Sequence, residues 1–230
     1  MKEVMFMRLF RHVLAALSLS LLAVSAGASP ANPQSGVDFR TLEQPQSTDS
    51  GKKIEVTEFF AYYCPHCYAF EPTLEAWVKK QGDNIVFKRV HVPYNDSVLP
   101  QQKLFFTLEA MGLLTDKLHK EIFDEMHVRH NRLDRDTAVF DFVGKQGIDV
   151  AKFTDTYRSL GVAARLRKGN AMFSDYKVDS WPMLAVDGRF LTSPTMSDEG
   201  NKSATTEAQL DAGVTQVLDI LVAKAKAEKK

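Results

Sequence analysis

Cys64-Pro65-His66-Cys67 constrains this chain more than any other feature, because it marks where a helix begins and what its first turn carries. Proline is tolerated at the first helical position, where its missing N–H would have no partner anyway. Pro65 therefore puts Cys64 at the cap and Cys67 one turn further in. The residues before it, Ile54 to Phe60, are rich in β-branched and aromatic side chains and predict a strand. After it, Cys67, Phe70, Leu74, Trp77 and Val78 recur at intervals of three and four and predict a helix to about Lys80. Pro72 falls inside that pattern and is expected to kink it. Gly82 ends the helix and Ile85 to Val92 makes a second strand, which completes one βαβ unit.

From about Pro100 to Lys177 the apolar spacing turns helical almost throughout, through Leu104, Phe105 and Leu108, then Leu118, Ile122 and Phe123, then Val139, Phe142 and Val143. Gly112, Asp134, Gly147 and Gly161 cut this stretch into four or five helices. Strand character returns at Met183 to Val186, Asp187-Gly188 is a hairpin turn signal, and Arg189 to Thr192 pairs back. A polar loop rich in Ser, Thr and Asp leads to a last helix, about Thr206 to Ala225. The fold class is α/β: a strand–helix core, βαβ then ββα, interrupted by an all-helical insertion. The expected segments are a signal peptide at 1–28, an extended arm at 29–50, the first half of the core at 51–99, the insertion at 100–177 and the second half at 178–230.

The start of the chain reads as an export leader. Lys2, Arg8 and Arg11 precede an apolar run from Val13 to Val24, and Ala26-Gly27-Ala28 fits a small-residue cleavage site. The run is short for a membrane span of about 20 residues; an uncleaved anchor is the rival reading, and Met7 is an alternative start to Met1. Over the whole chain 29 Lys and Arg balance 29 Asp and Glu. Removing the leader, with three basic residues against Glu3, leaves a net charge of −2. That balance excludes the strong basic bias of a nucleic-acid binder. Two cysteines allow one internal bridge, so this is no disulfide-stapled scaffold.

A bridge across two residues restrains little chain, so a purely structural role for the pair is a poor use of it. Zinc would need four ligands; His91, His119, His127 and His130 make no compact second pair with Cys64 and Cys67. Thiol chemistry fits better. At a helix N-terminus the free N–H groups and the dipole favour a thiolate on Cys64, and His66 adds to this. Cys67 lies deeper, on the apolar face. The expected result is an exposed, reactive Cys64 and a shielded Cys67 that resolves the mixed disulfide. A stabilised Cys64 thiolate favours the reduced form, which makes the disulfide form an oxidant. Glu58 stands on one face of the first strand with Ile54, Val56 and Phe60. A carboxyl among apolar neighbours is costly when ionised, so a raised pKa would suit it to pass a proton to or from Cys67; an edge or surface glutamate is the plainer alternative. Tyr62 and Tyr63, in the turn before Cys64, are candidates for an apolar patch that takes unfolded polypeptide, while Phe59, Phe60 and Phe70 read as core.

Glu58-Phe59-Phe60, the CPHC motif, Tyr68 and Glu71 together resemble the DsbA family of periplasmic thiol:disulfide oxidoreductases, and the element order follows it over roughly residues 38–230. The resemblance implies a thioredoxin-like fold with a helical insertion. It implies that Pro182 is a cis-proline facing the dithiol, where otherwise a trans proline opening a strand would serve, and that a basic residue, Lys88 or Arg89, partners Glu58. Trp181 stands where relatives carry a smaller residue such as Val or Thr, a departure that bears on redox potential and substrate preference.

The function expected is disulfide donation to reduced, unfolded exported polypeptides in the periplasm, by a monomer that needs no soluble cofactor. The resemblance implies reoxidation by an inner-membrane, quinone-linked partner of the DsbB type. The catalytic set is Cys64, Cys67, His66, Pro182 and Glu58. A reductase or isomerase of the same fold and a non-catalytic polypeptide-binding holdase are the rivals.

Overall fold

A computed structural model describes residues 30–200 and 206–229. The proposed leader, residues 1–28, lies outside them. Five strands form one mixed sheet in the order β1-β5-β4-β2-β3, with β1 Arg40–Thr41, β2 Ile54–Phe60, β3 Ile85–His91, β4 Met183–Val186 and β5 Phe190–Thr192. Central β2 pairs parallel with β3 and antiparallel with β4. All seven of its residues are buried, Glu55, Thr57 and Glu58 among them. The parallel register sets Glu58 opposite Arg89.

Between β2 and β3 runs α1, Pro65–Gln81, with Cys64 as its cap and Pro72 inside it. Gly82, at φ 50°, takes the left-handed backbone that ends it. Five helices follow: α2 Leu99–Ala110, α3 Asp116–His127, α4 Asp136–Lys145, α5 Val150–Tyr157 and α6 Leu160–Asp175. Asp187 and Gly188, at φ 52° and 65°, close the β4–β5 hairpin. The last two helices are α7, Pro194–Gly200, and α8, Glu207–Glu228.

Two elements depart from the expectation. The arm is not merely extended: β1 pairs antiparallel with β5, and Phe39 and Leu42 are buried. The polar loop after β5 contains α7, whose seven residues carry too little apolar periodicity to show.

The sheet separates two apolar layers. On one side α1 and α8 close over Val56, Leu184 and Val186 with Phe70, Leu74, Val217 and Leu221. Asp219 of α8 ties the pair, accepting from Trp77 Nε1 at 2.8 Å and Gln81 Nε2 at 2.6 Å. The second layer joins the sheet to the inserted helices. Its centre is Phe60, which lies edge-on or tilted to the rings of Tyr62, His91, Phe105, His119 and Phe123 at 5.0–6.0 Å. This packing holds the insertion rigidly against the end of β2, where α1 starts. The dithiol therefore sits where sheet, α1 and insertion meet.

Candidate active site

Cys64 follows a tight turn, its N–H bonded to the Ala61 carbonyl at 3.1 Å. Its Sγ accepts from the Cys67 N–H at 3.4 Å and donates to the Trp181 carbonyl at 3.6 Å. Both cysteines are free thiols. A hydrogen bond from the Cys67 side chain, helped by the Cys67 and His66 backbone N–H groups and the His66 charge, outweighs burial and brings Cys64 down to about 7. Cys67 goes the other way: burial first, then the hydrogen bond and charge of Cys64, push it well above the usual thiol range. The pair is as asymmetric as a helix start predicts, but Cys64 is less open than expected. It is 5% exposed against 0% for Cys67, because the segment carrying Trp181 closes over it. Access is to an edge of one sulfur.

The Trp181–Pro182 peptide bond is cis, and Pro182 is buried. Trp181 packs against Tyr94 at 6.0 Å, Tyr63 at 6.3 Å and Phe173 at 6.3 Å. Tyr63 and Tyr94 also lie 5.7 Å apart, and Tyr94 is 68% exposed. This aromatic cluster beside Cys64 was only partly foreseen. Tyr94 and Phe173 were missed, although a tyrosine in the polar turn Val92-Pro93-Tyr94-Asn95 was an available cue.

Tyr62 is a correction. It is fully buried and lines no surface patch. Three histidines hold its polar groups: Tyr62 N–H donates to His91 Nε2 at 3.1 Å, its carbonyl accepts from His127 Nε2 at 2.8 Å, and its hydroxyl bonds His119 Nδ1 at 2.8 Å. The histidines considered for metal thus fix the turn that presents Cys64. Burial keeps His91 near 3 and His119 well below its usual range, so both are neutral acceptors or donors here. Among the described residues no group of three His, Cys, Asp or Glu could hold a metal ion. A cleft of about 480 Å³ between β3, α2 and α6 is lined by Lys88, Glu109, Lys168 and Tyr176 among others, and it contains neither cysteine.

Glu58 is completely buried. Arg89, not Lys88, is its partner: Arg89 Nε donates to Glu58 Oε2 at 3.0 Å, and the same guanidinium reaches Glu71 on α1. Lys88 turns instead to Asp49 and Glu55. Two carboxyls sharing one guanidinium cannot both ionise freely. Burial, then the Glu71 charge, lifts Glu58 to about 8 against the pull of Arg89. Its Oε1 has no partner. At neutral pH this carboxyl therefore holds a proton inside the protein, and its charge when ionised bears on Cys67.

His66, on the exposed first turn of α1, donates from Nδ1 to Glu207 Oε1 over 2.7 Å. That bond is the first reason its pKa is raised. Glu207 was not anticipated; 141 positions separate the two residues.

The thioredoxin family model matches residues 43–105, the span from the end of the arm into α2. The thiol:disulfide interchange protein DsbA of Burkholderia cepacia is 43% identical over 207 residues, covering 90% of this chain and 92% of that protein. DsbA of Bordetella parapertussis is 33% identical, over 94% and 97%. The crystal structure of Pseudomonas aeruginosa DsbA superposes with a TM-score of 0.75 at 28% identity, covering 85% of this chain and 95% of that one. In sequence, fold and dithiol alike, the chain belongs to the DsbA family of thiol:disulfide interchange proteins.

Proposed function

We propose that Cys64 is the sulfur on which substrates exchange, that Cys67 is the resolving sulfur, and that Glu58 manages the proton of Cys67. The protein is a thiol:disulfide oxidoreductase that donates disulfides. The observation that carries the assignment of roles is the asymmetry of the dithiol: Cys64 at about 7 and nearly buried, Cys67 far above its usual range and wholly buried.

A substrate thiolate attacks Cys64 Sγ of the Cys64–Cys67 disulfide. The S–S bond breaks and its electron pair leaves on Cys67. A bare thiolate at that buried position is costly, and Glu58, protonated near neutral pH, supplies the proton. A second substrate thiolate then attacks the substrate sulfur of the mixed disulfide. Cys64 leaves as a thiolate, stabilised by the helix start and His66. The substrate has lost two electrons and the dithiol has gained them. The Trp181 carbonyl, 3.6 Å from Cys64 Sγ, offers an acceptor to an extended chain lying beside the sulfur. Reduced, unfolded exported polypeptides fit that edge-on access, and reoxidation falls to an inner-membrane, quinone-linked partner of the DsbB type. The periplasm is the compartment where such a cycle runs.

Thiolate absorbance of the reduced protein, titrated from pH 4 to 10 beside Cys64→Ser, tests the assignment. One thiolate should appear near pH 7 and vanish in Cys64→Ser. A first titration near the ordinary value of a cysteine would overturn it.

A further inference from the structure

We propose that Glu207, the first residue of α8, is a positioning residue that holds His66 charged and so tunes the acidity of Cys64 from the far end of the chain. The inference rests on the assignment of Cys64 as the exchanging sulfur and extends it to a residue outside the motif.

Three features carry it. The contact is direct: Glu207 Oε1 lies 2.7 Å from His66 Nδ1. It commits one ring nitrogen of His66, in the first turn of α1. Glu207 is also anchored. Thr206 caps α8 in a reciprocal capping box, its side chain accepting from the Gln209 N–H while the Gln209 side chain accepts from the Thr206 N–H. The first turn of α8 is therefore fixed before the glutamate side chain is placed. Finally, the helix is locked to α1 further along by Asp219 with Trp77 and Gln81, so the two helices cannot slide and separate the pair.

The groups facing His66 are few. On its own element are Cys64 at the cap and Cys67 one turn on. From α8 come Glu207 and, one turn deeper, Asp211, which burial raises to about 6. Tyr63 in the preceding turn has its hydroxyl pKa pushed up, first by burial and then by the Cys64 charge. The segment before β4 offers the uncharged Trp181 carbonyl. Glu207 has two opposed effects on this set. It favours the imidazolium, which in turn favours the Cys64 thiolate. Its own negative charge disfavours that thiolate, but from behind the imidazole. Above the ordinary His pKa the first effect wins, because without the carboxylate the ring loses its proton. Below it the ring is charged in either case, and only the weaker second effect remains.

The test uses the full protein with Glu207→Gln, Glu207→Asp and Asp211→Asn. His66 is followed by NMR titration, and the dithiol by equilibration with glutathione at pH 5.5 and 7.5. In Glu207→Gln the His66 pKa should fall toward its ordinary value. At pH 7.5 the equilibrium should move toward retained disulfide by roughly two- to fivefold, the range of an exposed charge pair. At pH 5.5 it should be unchanged or move slightly the other way. Glu207→Asp, which keeps the charge, should recover part of the difference, and Asp211→Asn should leave the His66–Glu207 bond in place. A merely structural glutamate would shift both pH values alike. An unchanged His66 pKa in Glu207→Gln, or an equal shift at both pH values, overturns the proposal. If instead the wild-type Cys64 titrates as an ordinary thiol, the failure belongs to the assignment of Cys64.

Discussion

Glu58→Gln should stabilise the reduced protein at neutral pH while slowing its chemistry. In the unfolded chain Glu58 ionises at its ordinary value of 4.5; in the fold it holds its proton to about 8. The native state thus binds more protons than the unfolded state between those two values. Stability must fall as pH rises through that window, by about 1.4 kcal/mol per unit from this group. At pH 7 the accumulated loss is about 3 kcal/mol, and above pH 8 it stops growing. Glutamine copies the protonated carboxyl. Its amide oxygen can accept from Arg89 Nε as Glu58 Oε2 does, and Glu71 remains to balance the guanidinium. No buried charge is orphaned, so the usual penalty for breaking a buried pair does not apply. Urea denaturation of reduced wild type and Glu58→Gln from pH 4.5 to 8 measures the difference. The two should coincide near pH 4.5, and the variant should be the more stable by about 3 kcal/mol at pH 7. Stopped-flow exchange with a reduced peptide should show the opposite ranking, with the variant at least about tenfold slower in the step that protonates Cys67. A stability difference independent of pH, or a variant less stable at pH 7 than wild type, would refute the reasoning, because both require Glu58 to be ionised in the native protein.

The turn before Cys64 and the β4–β5 hairpin give two further tests. Tyr62→Phe removes the hydroxyl bonded to His119 Nδ1 at 2.8 Å and leaves a buried ring nitrogen unpaired. A loss of about 1–3 kcal/mol is expected in a denaturation series, with the first thiolate titration little changed because His91 and His127 still hold the Tyr62 backbone. Gly188→Ala would set a Cβ 2.1 Å from the Gln46 carbonyl oxygen at a φ of 65°. Thermal unfolding should report a loss of about 3 kcal/mol from the clash and the strained backbone, and an alanine tolerated there without cost would mean the arm does not pack on the hairpin.

The parts of the site legible in the sequence are those that one element carries. Pro65 and the spacing after it placed Cys64 at the cap of α1 and Cys67 in its first turn, and the acid at the third position of the apolar face Ile54–Val56–Glu58–Phe60 marked Glu58 as buried. The pairing of Glu58 with a base on the next strand came from the family resemblance; which of Lys88 and Arg89 it would be turned on one position of the β2–β3 register. Tyr62 and Tyr63 show where such reasoning stops. They are adjacent, identical in type and lie just beyond the strand, where alternation no longer tells inside from outside. The side chain that goes in is decided by His91, His119 and His127, which come from β3 and both ends of α3. β1 and α7 were hidden for a related reason. Two residues, or seven with a single large apolar side chain, carry no period, and their structure is imposed by the hairpin and α8 beside them.

The same logic separates two kinds of residue around the dithiol. Those that make Cys64 acidic by sitting in its own first turn are fixed by the motif, and any chain with this motif on a helix start has them. Those that reach the dithiol from elsewhere are Glu207, on His66 from the start of α8, Trp181, on Cys64 Sγ from the segment before β4, and Glu58, whose charge bears on Cys67 from β2. Each reaches the site through packing between elements, so each can change without disturbing the helix that carries the cysteines. A covered Cys64, 5% exposed beneath the Trp181 carbonyl, follows from the second kind of contact and not the first. The motif therefore carries the exchanging sulfurs, and the contacts brought to it from β2, the segment before β4 and the start of α8 decide how exposed and how charged its surroundings are.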